Sequence, residues 1–518
     1  MAARVYFSAI DGPTLADASV PGFGRELWAT DGTASGTRMV KDINPNNDTL
    51  MGFRGSDPQD ITDLGNGRVI FRAKDDIFGG RDELWVSDGT ESGTFMLKNI
   101  GGPSSSEPTG ITALGNGQVV FAADDGRNAD ADQSGRELWI SDGTFAGTHL
   151  LKDINPGVDD NGRALSSDPQ DFLSLRNGYV VFTADDGTHG REVWSTDGTA
   201  AGTRMLGDIR PGSADGPSEL TPRVEFDLWH LVRPGWALFR ADDGINGREA
   251  WTTNGRSVQM LTDFSDADTS VYSIEFRALP QGQTEIRSSN LASPGLLTDG
   301  TAGGTAPGSS YSSRLPDGRT LEVLRGGWLP VDERGLYLID ETGPDMERHL
   351  LSSDIQRLGT VLQFTRGNVL LAGIDAEDDG ALYVFNTAAR SLHKVVDGVE
   401  GIAFIGTELP GGRWLLSLRT GMEEIEPGRF RATVALGVSD GTAGGTRLLS
   451  DRFAPDNMEQ VTALGRDKIV FAYSDSVHNR EPWVMDLNTG AAQMLADIAP
   501  GNKDLCIIED SRPLPALV

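Results

Sequence analysis

Apolar residues in this chain fall in short runs that alternate with polar ones or continue for a few positions, and each run is closed by Gly, Asn or Asp. No stretch of useful length keeps a helical period, so the pattern predicts strands and tight turns. Residues 110–154 contain four such runs: Gly110–Gly115, Gln118–Asp124, Glu137–Ser141 and His149–Ile154. All but the first are rich in β-branched, aromatic or other apolar residues. Between the first two runs stands Gly-Asn-Gly, a hairpin signal that recurs at Gly65–Gly67 and, as Arg-Asn-Gly, at Arg176–Gly178.

This unit is repeated. The phrase GRELWISDGTFAGTHLLKDINPG at 135–157 returns almost unchanged at 24–45 and at 190–212. Alignment on the acidic residue of the turn gives ten copies, at Asp31, Asp88, Asp142, Asp197, Asn254, Asp299, Asp340, Asn386, Asp440 and Asp486. Those at Asn254, Asp340, Asn386 and Asp486 are degenerate and are placed by spacing and flanking pattern. Four strands in a unit of this length predict a propeller blade rather than a helical solenoid. The expected fold is therefore all-β: one large propeller of about ten four-stranded antiparallel blades spanning 1–518. Regular repeats occupy 1–255, degenerate blades 256–435 and recovered repeats 436–503. The first copy begins at RVYF (4–7) without an innermost strand, and an orphan strand, DLCIIED (504–510), follows the last copy. Pairing the two would close the ring and leave no sheet edge.

The repeated residues read first as structure. Asp31, Asp88, Asp142, Asp197, Asp299 and Asp440 each head an Asp-Gly-Thr turn. There the carboxylate accepts backbone N–H groups just ahead and Gly takes the left-handed conformation. Trp28, Trp85, Trp139, Trp194, Trp251 and Trp483 recur at one strand position, with Tyr337 and Tyr383 in degenerate copies, as expected of aromatics packed between blades. The loop before each Trp strand gathers acids: Asp124, Asp125, Asp130, Asp132 and Glu137; Asp185, Asp186 and Glu192; Asp242, Asp243 and Glu249. Calcium takes six to eight oxygens from such groups, which makes it the one cofactor these loops suggest. The adjacent Arg136, Arg191 and Arg248 offer the other reading, an Arg–carboxylate bridge between loops or blades.

Charge and composition narrow the classes. The net charge of −31 repels phosphate backbones and anionic membranes, so nucleic acid is excluded as a partner. No apolar run is long enough for membrane insertion, and the N-terminal segment shows no cleavable signal peptide. The single Cys506 allows no intrachain disulfide. No catalytic residue can be named: the chain has no HExxH, no GxSxG elbow and no phosphate loop.

The repeated phrase resembles the ELWxxDGT repeat family of bacterial proteins. The match runs over Glu26–Thr37, Glu83–Thr94, Glu137–Thr148, Glu192–Thr203 and Glu249–Thr253, with parts at 298–305, 439–446 and 480–483. The turn is also similar to the Asp-box of sialidases and ten-bladed sorting receptors, where it is structural. The family resemblance implies an extracellular or cell-surface location. It leads to the expectation of a non-enzymatic binding or scaffold protein that engages a protein or glycan partner through propeller loops. The irregular sector, with its insertions at 307–318 and 421–430, is the expected partner face. The alternative is a polysaccharide hydrolase or lyase with paired carboxylates in the central channel.

Overall fold

The computed structural model describes residues 4–498 apart from 12–23, 46–54, 75–80, 103, 127–132, 212–226, 234, 247, 264–273, 280–282, 289–295, 299, 303–304, 308–311, 316–318, 325–334, 341–346, 356, 365–367, 376, 378, 400, 427–428, 451–452, 454–457 and 475–479. Among these residues the fold is all-β, without an α-helix, and comprises ten successive antiparallel sheets. Nine have four strands joined in sequence order as a meander, the form of a propeller blade. The third sheet is typical: Thr109–Ala113, Val119–Asp124, Arg136–Ser141 and His149–Lys152. Each degenerate copy is a sheet too. Asn254 follows the strand Arg248–Thr253, while Asp340, Asn386 and Asp486 end the strands Gly335–Asp340, Gly380–Asn386 and Arg480–Asp486.

The first sheet has three strands, Val5–Asp11, Gly24–Thr30 and Arg38–Lys41, and lacks the leading strand of the others. The expected partner, 504–510, lies outside the described residues, as do Asp130, Asp132 and Asp299.

The chain forms two compact units: Met1–Ile274 with Glu459–Val484 and Ala492–Val518, and Glu275–Met458 with Met485–Ala491. In the first, sheets pack face to face through the repeated aromatics. Trp85 sits among Tyr6, Leu27 and Val40 of the first sheet. Trp139 lies against Leu84, Val86 and Leu97 of the second, and Trp194 against Leu138, Ile140 and Leu151 of the third. Trp28 reaches back to Ala472 and Ile498 of the last repeat. Trp251 is half-buried beside Val193 and Ile209, and Trp483 is buried edge-on to Tyr473. Directly across the preceding strand, every one of these Trp residues from Trp28 to Trp251 faces a Phe: Phe7, Phe71, Phe121, Phe182 and Phe239. Middle strands covered on both faces explain the near-continuous apolar runs such as VVFAAD. The fourth strands are less buried, with one buried position in four at Phe95–Lys98 and His149–Lys152.

The cores of the second unit are mainly aliphatic. Leu321, Leu336, Val369, Leu371 and Phe385 form one, and Leu370, Leu382, Val384, Leu416 and Leu418 another.

Candidate functional site

The Asp-Gly-Thr turns are closed systems. Asp142 Oδ1 accepts the Thr144 N–H at 2.8 Å and its hydroxyl at 2.6 Å, and Thr144 Oγ1 accepts the Gly147 N–H. The Thr148 hydroxyl donates to the Thr144 carbonyl and lies 2.7 Å from Ser141 Oγ. The same bonds recur around Asp31, Asp88, Asp197 and Asp440. The bond from the neighbouring threonine hydroxyl holds Asp31, Asp88 and Asp142 below the ordinary carboxylate range. Glycine is required for two reasons in Gly143: its φ is +77°, and a Cβ there would lie 2.6 Å from Leu64 Cδ1 of the preceding sheet. Gly32 meets Leu464, and Gly198 meets Leu114, in the same way. The turn therefore locks its own hairpin and seats it on the neighbouring sheet.

The glutamate two positions before each repeated Trp has a role that pattern reading missed. Glu26, Glu83, Glu137, Glu192, Glu249 and Glu481 are all buried. Glu137 accepts the Ile154 N–H at 2.9 Å, the Ser167 N–H at 2.6 Å and the Ser167 hydroxyl at 2.6 Å. Glu26 does the same with Ile43 and Ser56. Glu83 takes the Ile100 N–H and the Ser106 hydroxyl. Glu192 and Glu481 take Ile209 and Ile498, and Glu249 takes the Thr262 hydroxyl. The isoleucine lies 17 positions after the glutamate in all five cases, and that constant spacing was the available signal. Each carboxylate clasps the crossover that leaves its sheet and, in the first three repeats, the segment entering the next. Burial pushes Glu26, Glu137 and Glu192 up to about 7.

The remaining described acids of the Asp-rich loops close turns. Asp124 accepts Gly126 N–H, and Asp125 accepts those of Ser134 and Gly135. Asp185 accepts Gly187 N–H, while Asp186 takes those of Thr188 and His189 and pairs with His189 Nδ1 at 2.8 Å. Asp242 accepts Gly244 N–H, and Asp243 those of Ile245 and Asn246. The sequence pattern gathers Glu137, Glu192 and Glu249 with these aspartates; their bonds instead direct them into the sheet interior. Among the described residues, no three His, Cys, Asp or Glu side chains converge as metal ligands. The arginine bridge runs between sheets. Arg136 Nε lies 3.3 Å from Asp168 of the next sheet, which also pairs with Arg191, and Arg25 reaches Asp57 in the same way. Asp57, Glu107 and Asp168 adopt φ of +44° to +48° before a proline, and their N–H groups donate to Arg25, Asp82 and Arg136 carbonyls of the preceding sheet. Lysines of the last strands add a further staple. Lys41 and Lys98 donate to the Thr94 and Thr148 carbonyls one sheet on and lie over Trp85 and Trp139.

With the repeat residues engaged in this way, two features stand apart. One is a groove of about 320 Å³ between the hairpin turns of the second and third sheets, lined by Asp63, Asn66, Asn116 and Gln118 over Leu64 and Ala113. The other belongs to the second unit, where the strands Arg413–Glu426 and Arg429–Ser439 run to 14 and 11 residues. Their tip is the 421–430 insertion. Of the other expected insertion, only 307 and 312–315 lie within the described residues.

No protein-family model and no curated protein sequence matches the chain. Among solved structures it is similar to prolyl oligopeptidase B from Galerina marginata, with 12% identity and a TM-score of 0.27 over 74% of this chain and 55% of that one. Puromycin hydrolase gives 14% and 0.28 over 84% and 59%, and the β-propeller domain of the Trilobed protease from Pyrococcus furiosus 11% and 0.30 over 64% and 98%. The chain thus spans little more than half the length of the first two. At these values the likeness transfers no activity or substrate. Among the described residues no helix is long and apolar enough to cross a membrane.

Proposed function

We propose that this chain is a non-enzymatic binding or scaffold protein of the ELWxxDGT repeat type, which engages a protein or glycan partner at a cell surface. In this reading the ten sheets are the blades of one propeller, and 504–510 supplies the strand that the first sheet lacks. The observation that carries it is the engagement of the repeat: its Asp, Thr, Glu, Arg and Lys groups bond within and between neighbouring sheets, so recognition falls to segments that break the repeat. The hairpin around 421–430 is one such departure, and the 307–318 insertion is the other expected one.

The test replaces 421–430 or 307–318 by short Gly-Ser loops in the full chain. Capture of surface proteins and binding on a glycan array are then compared with the unaltered protein. Loss of a ligand at unchanged thermal midpoint is the expected result. Retention of the same ligands by both replacements, or turnover of a polysaccharide by the pure protein, would overturn the reading.

A further inference from the structure

The long hairpin outgrows its own sheet. Its first strand pairs with Gly401–Leu409 only from Arg413 to Arg419, and its second pairs with Arg447–Ser450 only from Leu436 to Val438. Beyond these limits, among the described residues, Gly421–Glu426 and Arg429–Thr433 pair only with each other. At about 3.3 Å per residue the ribbon extends roughly 20 Å. Among the described residues, no strand lies along either outer edge. A ribbon of two strands is marginal in water, and each open edge presents a row of unpaired N–H and C=O groups.

The two strands differ in charge. Glu423, Glu424 and Glu426 stand on one strand with no cation among them, and Arg429 and Arg431 on the other. In the register, Glu423 is opposite Arg431 and Glu426 opposite Arg429. A symmetric pair of copies would set the glutamate edge against itself, or the arginine edge against itself, and like charges oppose both. The glutamates that discourage self-pairing leave that edge open to a strand of opposite sign. The chain's net charge of −31 steers the same kind of partner towards it.

We propose that the Thr420–Glu426 edge receives a Lys/Arg-rich extended segment of a partner protein as an added strand. Main-chain bonds supply the docking and the three glutamates select the charge. This rests on the binding-protein reading above and names the partner's chemistry.

The test uses the full chain and a fluorescent twelve-residue peptide of alternating Lys and Val, read by anisotropy at about 0.15 M salt. A backbone N-methylated form of the peptide and a Glu-Val counterpart are the controls. Two variants are compared at matched thermal midpoint. One carries Glu423→Lys, Glu424→Lys and Glu426→Lys; the other has 421–432 replaced by Asn-Gly. The Lys-Val peptide should bind the unaltered chain and weaken about tenfold or more with either variant or with N-methylation. The charge-reversed variant should turn to the Glu-Val peptide. Equal binding of the N-methylated peptide, equal binding by the shortened chain, or no binding at all would overturn the proposal. If the peptide fails while loop replacement still abolishes ligand capture, this inference falls alone. If the peptide binds the hairpin while capture is indifferent to both loops, the broader reading falls.

Discussion

Replacing Glu137 by Gln should remove a pH dependence from the crossover between the third and fourth sheets. In the folded chain burial moves the Glu137 carboxyl from 4.5 to about 7. Between those values the folded state holds a proton that the unfolded chain has released. The stabilisation is therefore complete below about pH 4.5 and is lost as pH rises through 7. A difference of about 2.5 pK units corresponds to roughly 3 kcal/mol at most. The introduced amide would donate where Glu137 Oε2 accepts the Ile154 N–H, which costs about 1–3 kcal/mol at every pH. The variant should thus be weaker throughout and flat with pH, whereas the parent loosens from pH 5 to 8. Hydrogen exchange of the 150–170 segment, corrected for the intrinsic rate at each pH, reads this locally. A parent whose protection stays level across that window, or a variant that falls in parallel with it, refutes the reasoning.

Gly143→Ala should cost about 2–4 kcal/mol, because a left-handed alanine adds strain and its Cβ meets Leu64. Gly65→Ala, with similar φ and open space, should cost only the strain, and the two thermal midpoints compare them. Trp139→Ala should destabilise by about 3–5 kcal/mol, measured by denaturant unfolding, since it empties the contact with Leu84, Val86 and Leu97. Calcium added to EDTA-treated protein should leave the thermal midpoint unchanged, because the described loop carboxylates already accept N–H groups; a rise of several degrees would make them metal ligands. If 504–510 supplies the proposed strand of the first sheet, truncation after residue 503 should lower the midpoint and promote association, as light scattering would show.

The sequence alone determined the strands and turns of the regular repeats. Alternation, Gly-Asn-Gly and Asp-Gly-Thr act over a few residues, so local sterics suffice to place Val119–Asp124 and Arg136–Ser141 within a residue or two. The repeat extended that reading to Asn254 and Asn386, where the motif itself has faded. What each side chain touches was decided by tertiary structure. Glu137 stands beside Arg136 and close to Asp125 in the chain, yet strand alternation sends it inward, to Ile154 and Ser167. The second sheet makes the same point through an exchange: where the others place Arg25, Arg136 or Arg191, it has Asp82, and the guanidinium comes from Arg72 on the adjacent strand. In the long hairpin, residue types show charge, but only the extent of pairing shows that Gly421–Glu426 has no outer neighbour among the described residues. Local pattern fixes a strand because its causes are local; partners and open edges depend on which sheets come together, and that is settled by the whole chain.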